Sequence, residues 1–259
     1  MKNYKYRDSI IIVVAFLLAV YGRKLFNQFA DIPFSSTVGS TIYYYAWWIL
    51  PIGLTIGILY GFRNILKELC LNKGISQPLS FAMLAVAPML ISSAIMGEVR
   101  ADLDVFDLLR GTLFAGFMEE LLFRGFLFGI LFRKLGWGFI PAAALGAVIF
   151  GIGHIYQGSN MAESLGIFAV TFMGAAWFAW LFIEWHENLW VPILLHILMN
   201  LSWTLFEVSD NALGGFAPNI FRVVTIAITV IVTIRHCKKR GYFRINRSTL
   251  FINAPAAIN

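Results

Sequence analysis

Eight long apolar runs leave this chain little choice of architecture. They fall near residues 9–22, 40–62, 79–97, 111–132, 137–155, 164–183, 189–206 and 217–234. A helix that crosses a bilayer needs roughly 17–25 mostly apolar residues. In lipid the backbone must satisfy its own hydrogen bonds, so such runs become helices unless they close into a barrel. The residue-by-residue alternation of barrel strands is absent from these runs. Composition agrees: the chain is 59% hydrophobic and 13% charged, against roughly 25% charged residues in a soluble domain. The expected fold class is therefore all-α, a polytopic transmembrane bundle of about eight helices. The charged segment from Glu98 to Arg110 carries Val99, Leu103 and Phe106 at helical spacing. It reads as an interfacial amphipathic helix before the fourth span, with an ordinary polar loop as its rival.

Basic residues set the expected orientation. With the N-terminus inside, fourteen Lys and Arg fall on cytoplasmic segments. Only Arg23, Lys24 and Arg100 fall outside. That asymmetry places both termini in the cytoplasm and calls for an even number of spans. The first span is the weak point, being short and followed by Arg23 and Lys24. No small-residue cleavage site follows it, so it reads as a retained helix. One domain, residues 1–234, holds every span, and residues 235–259 form a basic cytoplasmic tail. The net charge of +6 sits at helix ends and in that tail, which argues against a nucleic-acid partner. Cys70 and Cys237 make no disulfide framework.

Polar residues inside the spans need a reason. An ionised side chain at mid-bilayer costs about 2.5–3.5 kcal/mol on insertion scales. The fourth span contains Glu119, Glu120 and Arg124 within six residues, so these must face the bundle interior. Glu120 and Arg124 have the favoured i,i+4 ion-pair spacing. Glu119 points about 100° away and has no partner on its own helix, which suits it to take a proton from water. The fifth span ends in Phe150-Gly151-Ile152-Gly153-His154, and the seventh contains His196 and Asn200, four apart on one face. Each feature has a plain structural reading. His154 fits a bond to a backbone carbonyl, His196 with Asn200 fits interhelical glue, and Glu119 fits a packing contact with a histidine. Together, a carboxylate, two imidazoles and an amide on three apolar helices are an inventory for activating water and stabilising an oxyanion.

These residues resemble the CaaX-protease and bacteriocin-processing (CPBP, or Abi) family. Its motifs EExxxR, FxxxH and HxxxN match Glu119 to Arg124, Phe150 to His154 and His196 to Asn200, in order. The segment from Asn188 to Pro192 also resembles the family's approach to the last motif. The resemblance covers residues 98–206 and implies an intramembrane protease. By position, Glu119 would be the general base, His154 would help hold the water, and His196 and Asn200 would bind the oxyanion. Glu120 and Arg124 would brace the helix, and Phe150 would pack beside His154. The implied substrate is a membrane-associated peptide or protein. No cofactor is favoured; the alternative is a divalent metal such as zinc on Glu119, His154 and His196, although HExxH is absent.

Depth poses a problem. His154 follows the start of its span by about seventeen residues and His196 by about seven, a difference of about 15 Å at the helical rise. The two meet only if the seventh helix starts deep, which predicts a cytoplasm-facing wet cavity near Glu184 to Asn188. Two rivals to catalysis stand beside the protease reading. One is a non-catalytic bacteriocin self-immunity or scaffold protein of the same family. The other is a transporter or proton relay, against which no repeated halves are found.

Overall fold

The computed structural model describes residues 2–30, 34–206, 208–209 and 211–253. The chain is 76% helical. Apart from two isolated bridges, Val99 with Phe206 and Trp137 with Ile252, the described residues form no strand. Besides a single helical turn at Ile65–Glu68, eight longer helices follow in order among the described residues: α1 (Lys2–Phe26), α2 (Thr37–Tyr60), α3 (Ser76–Met96), α4 (105–133), α5 (Phe139–Ile152), α6 (Met161–Glu184), α7 (Trp190–Thr204) and α8 (Phe216–Arg240). Six of them, α5 being counted on through the following turns to Gln157, are long and apolar enough to cross a membrane. The two that are not, α4 and α7, carry the acidic and His-Asn motifs. Polar site residues lower the hydropathy of α4, and α7 has only 15 residues.

Helix ends follow local chemistry. The side chains of Ser36 and Asn160 accept backbone N–H groups in the first turns of α2 and α6. Gly241, at φ 88°, stops α8 in the left-handed conformation. The first span is longer than its apolar run, and α1 continues through Arg23 and Lys24 to Phe26. The Arg23 guanidinium rests over the Tyr44 ring at 4.8 Å, which gives that charge a partner on α2.

α4 is the axis of the bundle. Every residue from Leu121 to Phe128 is buried, the pattern of a helix enclosed on all sides. α1, α2, α5, α6 and α7 all pack on it. Around it α1 pairs with α2, α5 with α6, and α3 with α7 and α8. Large apolar side chains such as Ile10, Leu54, Ile58, Ile95 and Val223 face outward, as lipid-facing helices require. The helix is not uniform. Two stretches, Arg110–Phe114 and Leu121–Phe128, are π-helical. There the N–H of Ala115 reaches Arg110 and that of Gly129 reaches Arg124, five residues back. Such wider turns concentrate at functional sites. Here they bracket the segment Ala115–Glu120.

The interfacial helix expected over Glu98–Arg110 does not form as a separate element. Val99 and Arg100 instead pair with the backbone at Phe206 and Leu205. The Asp104 carboxylate then accepts the N–H of Phe106 and caps the start of α4 itself. The stretch from Arg235, expected as a tail, continues α8 to Arg240 and then packs back across the bundle end. Residues 254–259 of that stretch lie outside the described residues.

Candidate active site

The acidic motif lies midway along α4, between the two π-helical stretches. Glu120 and Arg124 form the ion pair their spacing predicts, with Arg124 Nη1 3.1 Å from Glu120 Oε1. Both are almost wholly buried, at 0% and 2% exposure. Three aromatic rings enclose the guanidinium, those of Phe150, Phe178 and Phe123, at 4.9, 5.6 and 5.9 Å. Phe150 thus touches both Arg124 and His154, whose ring centroid lies 4.4 Å from its own.

His196 comes to this pair from α7. Its Nδ1 lies 2.7 Å from Glu120 Oε1 and its Nε2 lies 3.7 Å from Glu119 Oε2. A carboxylate only accepts, so Nδ1 carries the proton and donates it to Glu120. The ring is thereby wedged between the adjacent glutamates. Glu119 keeps 21% of its side chain exposed, whereas Glu120 keeps none. Of the two, Glu119 is the carboxylate a water or substrate reaches. Asn200, one turn beyond His196, donates through Nδ2 to the carbonyl of Gly111 at 3.1 Å. That bond joins α7 to the first π-helical stretch of α4 and leaves the second N–H of the amide uncommitted.

His154 stands apart. α5 ends at Ile152 and His154 lies in the turn beyond it. Its Nδ1 is 2.7 Å from the carbonyl of Phe150, so Nδ1 is the donor and Nε2 presents a lone pair. Among the described residues His154 has no hydrogen bond or ion pair to Glu119 or His196. Nor do any three His, Cys, Asp or Glu side chains gather there as a group able to hold an ion. Glu119, His154 and His196, the alternative metal set, are thus not gathered around one point in this conformation.

The depth problem resolves in part as foreseen. α7 starts deep: a Cβ on Gly125 of α4 would stand 2.8 Å from the Leu189 side chain, about eight residues in from the end of α4. Chain packs over the recess at Glu184, while His186 stays exposed and Glu187 and Asn188 half-buried. The Asn188 side chain donates to Gly74 O and the Trp190 indole to Leu71 O. Glu184 is fully buried, under the segment that follows α8. The expected wet cavity at Glu184 is thus replaced by packed chain.

Two neighbours of Glu119 escaped the sequence reading. Tyr44 and Tyr45 of α2 lie within electrostatic reach of its carboxylate. Their signal was the aromatic run Tyr43-Tyr44-Tyr45-Ala46-Trp47-Trp48, indistinguishable from an interfacial aromatic belt without the fold.

Residues 101–202, which contain every motif position, match the family model for type II CAAX prenyl endopeptidase Rce1-like proteins. No curated protein and no solved structure matches the chain. The site-bearing part of the chain is thus similar to the Rce1-like type II CAAX prenyl endopeptidases, and its three motifs resemble those of the same family.

Proposed function

We propose that the protein is an intramembrane endopeptidase that hydrolyses a peptide bond of a membrane-associated substrate with Glu119 as general base. The observation that carries this reading is the partly exposed Glu119 carboxylate beside His196, just ahead of a stretch of α4 that is buried on all sides. In this reading Glu119 draws a proton from water, and the water oxygen attacks the scissile carbonyl carbon. The Nε2 lone pair of His154 accepts a hydrogen bond from the water's other O–H, which stays on the attacking oxygen, once substrate draws the two helices together. His196, held through Nδ1 by Glu120, donates from Nε2 to the oxyanion, and so works as the imidazolium. Asn200 adds its uncommitted N–H. The proton held by Glu119 then passes to the departing amine as the C–N bond breaks. Arg124 balances the charge of Glu120 and, through Phe150, braces His154. The basic end of the bundle, where α1 begins and α8 ends, faces the cytoplasm.

The test uses purified protein in liposomes and a farnesylated peptide carrying a C-terminal CaaX sequence, with cleavage followed by mass spectrometry. Cleavage by wild type and its loss in Glu119→Gln and His154→Ala is the expected result. A Glu119→Ala variant that cuts at the wild-type rate removes the basis of the proposal.

One observation favours a second reading. His154 is bound to the Phe150 carbonyl, as a purely structural histidine would be. A non-catalytic immunity or scaffold protein of the same family would keep this arrangement. Partner binding or immunity that survives loss of both Glu119 and His154 would favour it.

A further inference from the structure

The chain does not leave the bundle after α8. It turns at Gly241 and runs back across the end where α4 and α6 finish and α5 and α7 begin. Its backbone N–H groups at Arg244 and Ile245 donate to the Glu184 carboxylate at 3.1 and 2.9 Å. Arg240 adds bonds to a carboxylate oxygen and to the main-chain oxygen of Glu184, each at 2.8 Å. The Cys237 thiol lies 3.2 Å from the same carboxylate. Further along, the carbonyls of Phe251, Thr249 and Leu250 accept the N–H groups of Gly138, Phe139 and Ile140, which open α5. Asn253 donates through its side chain to Phe132 O at the end of α4, at 2.7 Å. One strap thus satisfies the orphan backbone groups of two helix ends and the buried acid of a third.

The turn between α6 and α7 is riveted on both sides. Glu187 pairs with Arg133 of α4 at 3.0 Å and with Arg244 of the strap at 2.8 Å. Trp185 donates to Thr233 of α8 and stacks on His236. His186 and Glu187 both sit at φ 58°, a conformation non-glycine residues hold only when their surroundings impose it. The consequence of the turn is the depth at which α7 starts, and that depth brings His196 level with Glu119 and Glu120.

We propose that Glu184 is a positioning residue for the site. Together with the strap of residues 241–253, it fixes the start of α7 and so holds His196 against the two glutamates. A fully buried carboxylate is tolerable only when its oxygens are satisfied, and here the strap and the end of α8 supply every donor. The kinetic consequence rests on the proteolytic reading above. The spectroscopic consequence rests on the geometry alone.

The experiment compares wild type, Glu184→Gln, Arg240→Lys and a chain ending at Arg240, each reconstituted with 15N-labelled histidine. The Nδ1 signal of His196 reports its bond to Glu120, and the farnesylated peptide reports kcat and KM. The expected result for Glu184→Gln and the shortened chain is loss of the hydrogen-bonded Nδ1 signal. With it, kcat falls about tenfold to a hundredfold and KM stays within about twofold. Arg240→Lys lies between these and wild type. A synthetic peptide of residues 241–253 added to the shortened chain restores the signal and kcat, and Glu184→Asp recovers more than Glu184→Gln. The proposal is overturned if the His196 signal and kcat stay at wild-type values in cooperatively melting samples of these variants. If Glu184→Gln does not fold, the shortened chain with and without peptide and Arg240→Lys decide. If no sample cleaves, wild type included, the proteolytic reading fails while the His196 signal still decides the role of Glu184.

Discussion

Nδ1 of His196 lies 2.7 Å from Oε1 of Glu120, a bond that joins α7 to the middle of α4. The same oxygen faces Arg124 at 3.1 Å, so Glu120 balances two helices' worth of polar groups in a dry interior. Removing one member of a buried pair strands the other, at about 3–5 kcal/mol. Glu120→Ala should destabilise the protein by about that amount, and Glu120→Gln by less because the shape and one acceptor remain. Denaturation in mild detergent measures both. A Glu120→Ala variant as stable as wild type would mean that the pair is not formed as described.

Close approach of α4 and α7 depends on Gly116. A Cβ there would stand 2.9 Å from the backbone nitrogen of Ile197 and 3.2 Å from its Cα. Neither backbone atom can rotate aside, so Gly116→Ala should push α7 away and lengthen the contact of His196, the residue before Ile197, with α4. We expect a folded protein with at least about a tenfold loss in kcat. Wild-type turnover would show that the helix spacing does not govern the site.

Asn200 separates a structural role from a chemical one. Its bond to Gly111 O is an ordinary hydrogen bond, worth about 0.5–1.5 kcal/mol. An oxyanion donor is worth about 10²- to 10³-fold in kcat. Asn200→Ala should therefore lower stability slightly and turnover severely. If kcat falls by no more than the melting shift explains, Asn200 is interhelical glue.

His186 carries a pH dependence. Burial, then the positive charges of Arg240, Lys73 and Arg244, hold its pKa below the usual value; Glu187 opposes them. His236 of α8 packs edge-on 5.5 Å away. A histidine with a lowered folded pKa contributes stability above its unfolded pKa of about 6.5. That contribution is lost as pH falls through the lower, folded value. The melting temperature should therefore drop between about pH 7.5 and 5.5 more in wild type than in His186→Asn, since Asn tolerates the left-handed backbone. The comparison is repeated with His236→Gln to separate the two imidazoles, and parallel pH slopes in all variants would remove His186 as the cause.

Much of the architecture was legible because periodicity and length are local properties. The apolar runs mark the longer helices, and the i,i+4 spacing of Glu120 and Arg124 marks their ion pair. The reading failed where distant segments decide. The segment 98–104 has helical spacing, yet its backbone at Val99 and Arg100 is claimed by residues 205 and 206. Glu184 and Glu187 looked like an acidic, wet stretch because their partners lie about fifty to sixty residues away, in Arg133, Arg240 and Arg244. The sequence arithmetic required a deep start for α7. What fills the space above it depends on chain that returns after the last helix, which no spacing rule foretells.

The two widened stretches of α4 bear on how the glutamates are aimed. Each lets the helix wind with one residue more than regular turns would need, so residues on either side are re-phased relative to one another. Removing a single residue from 110–114 or 121–128 would let the helix revert to even winding. Both flanks would then keep their facing, whereas the same deletion from the regular segment Ala115–Glu120 would swing one of them by roughly 100° about the axis, the angle of one residue. A one-residue deletion, more than any substitution, thus asks whether the direction in which α4 points its acids matters as much as their chemistry.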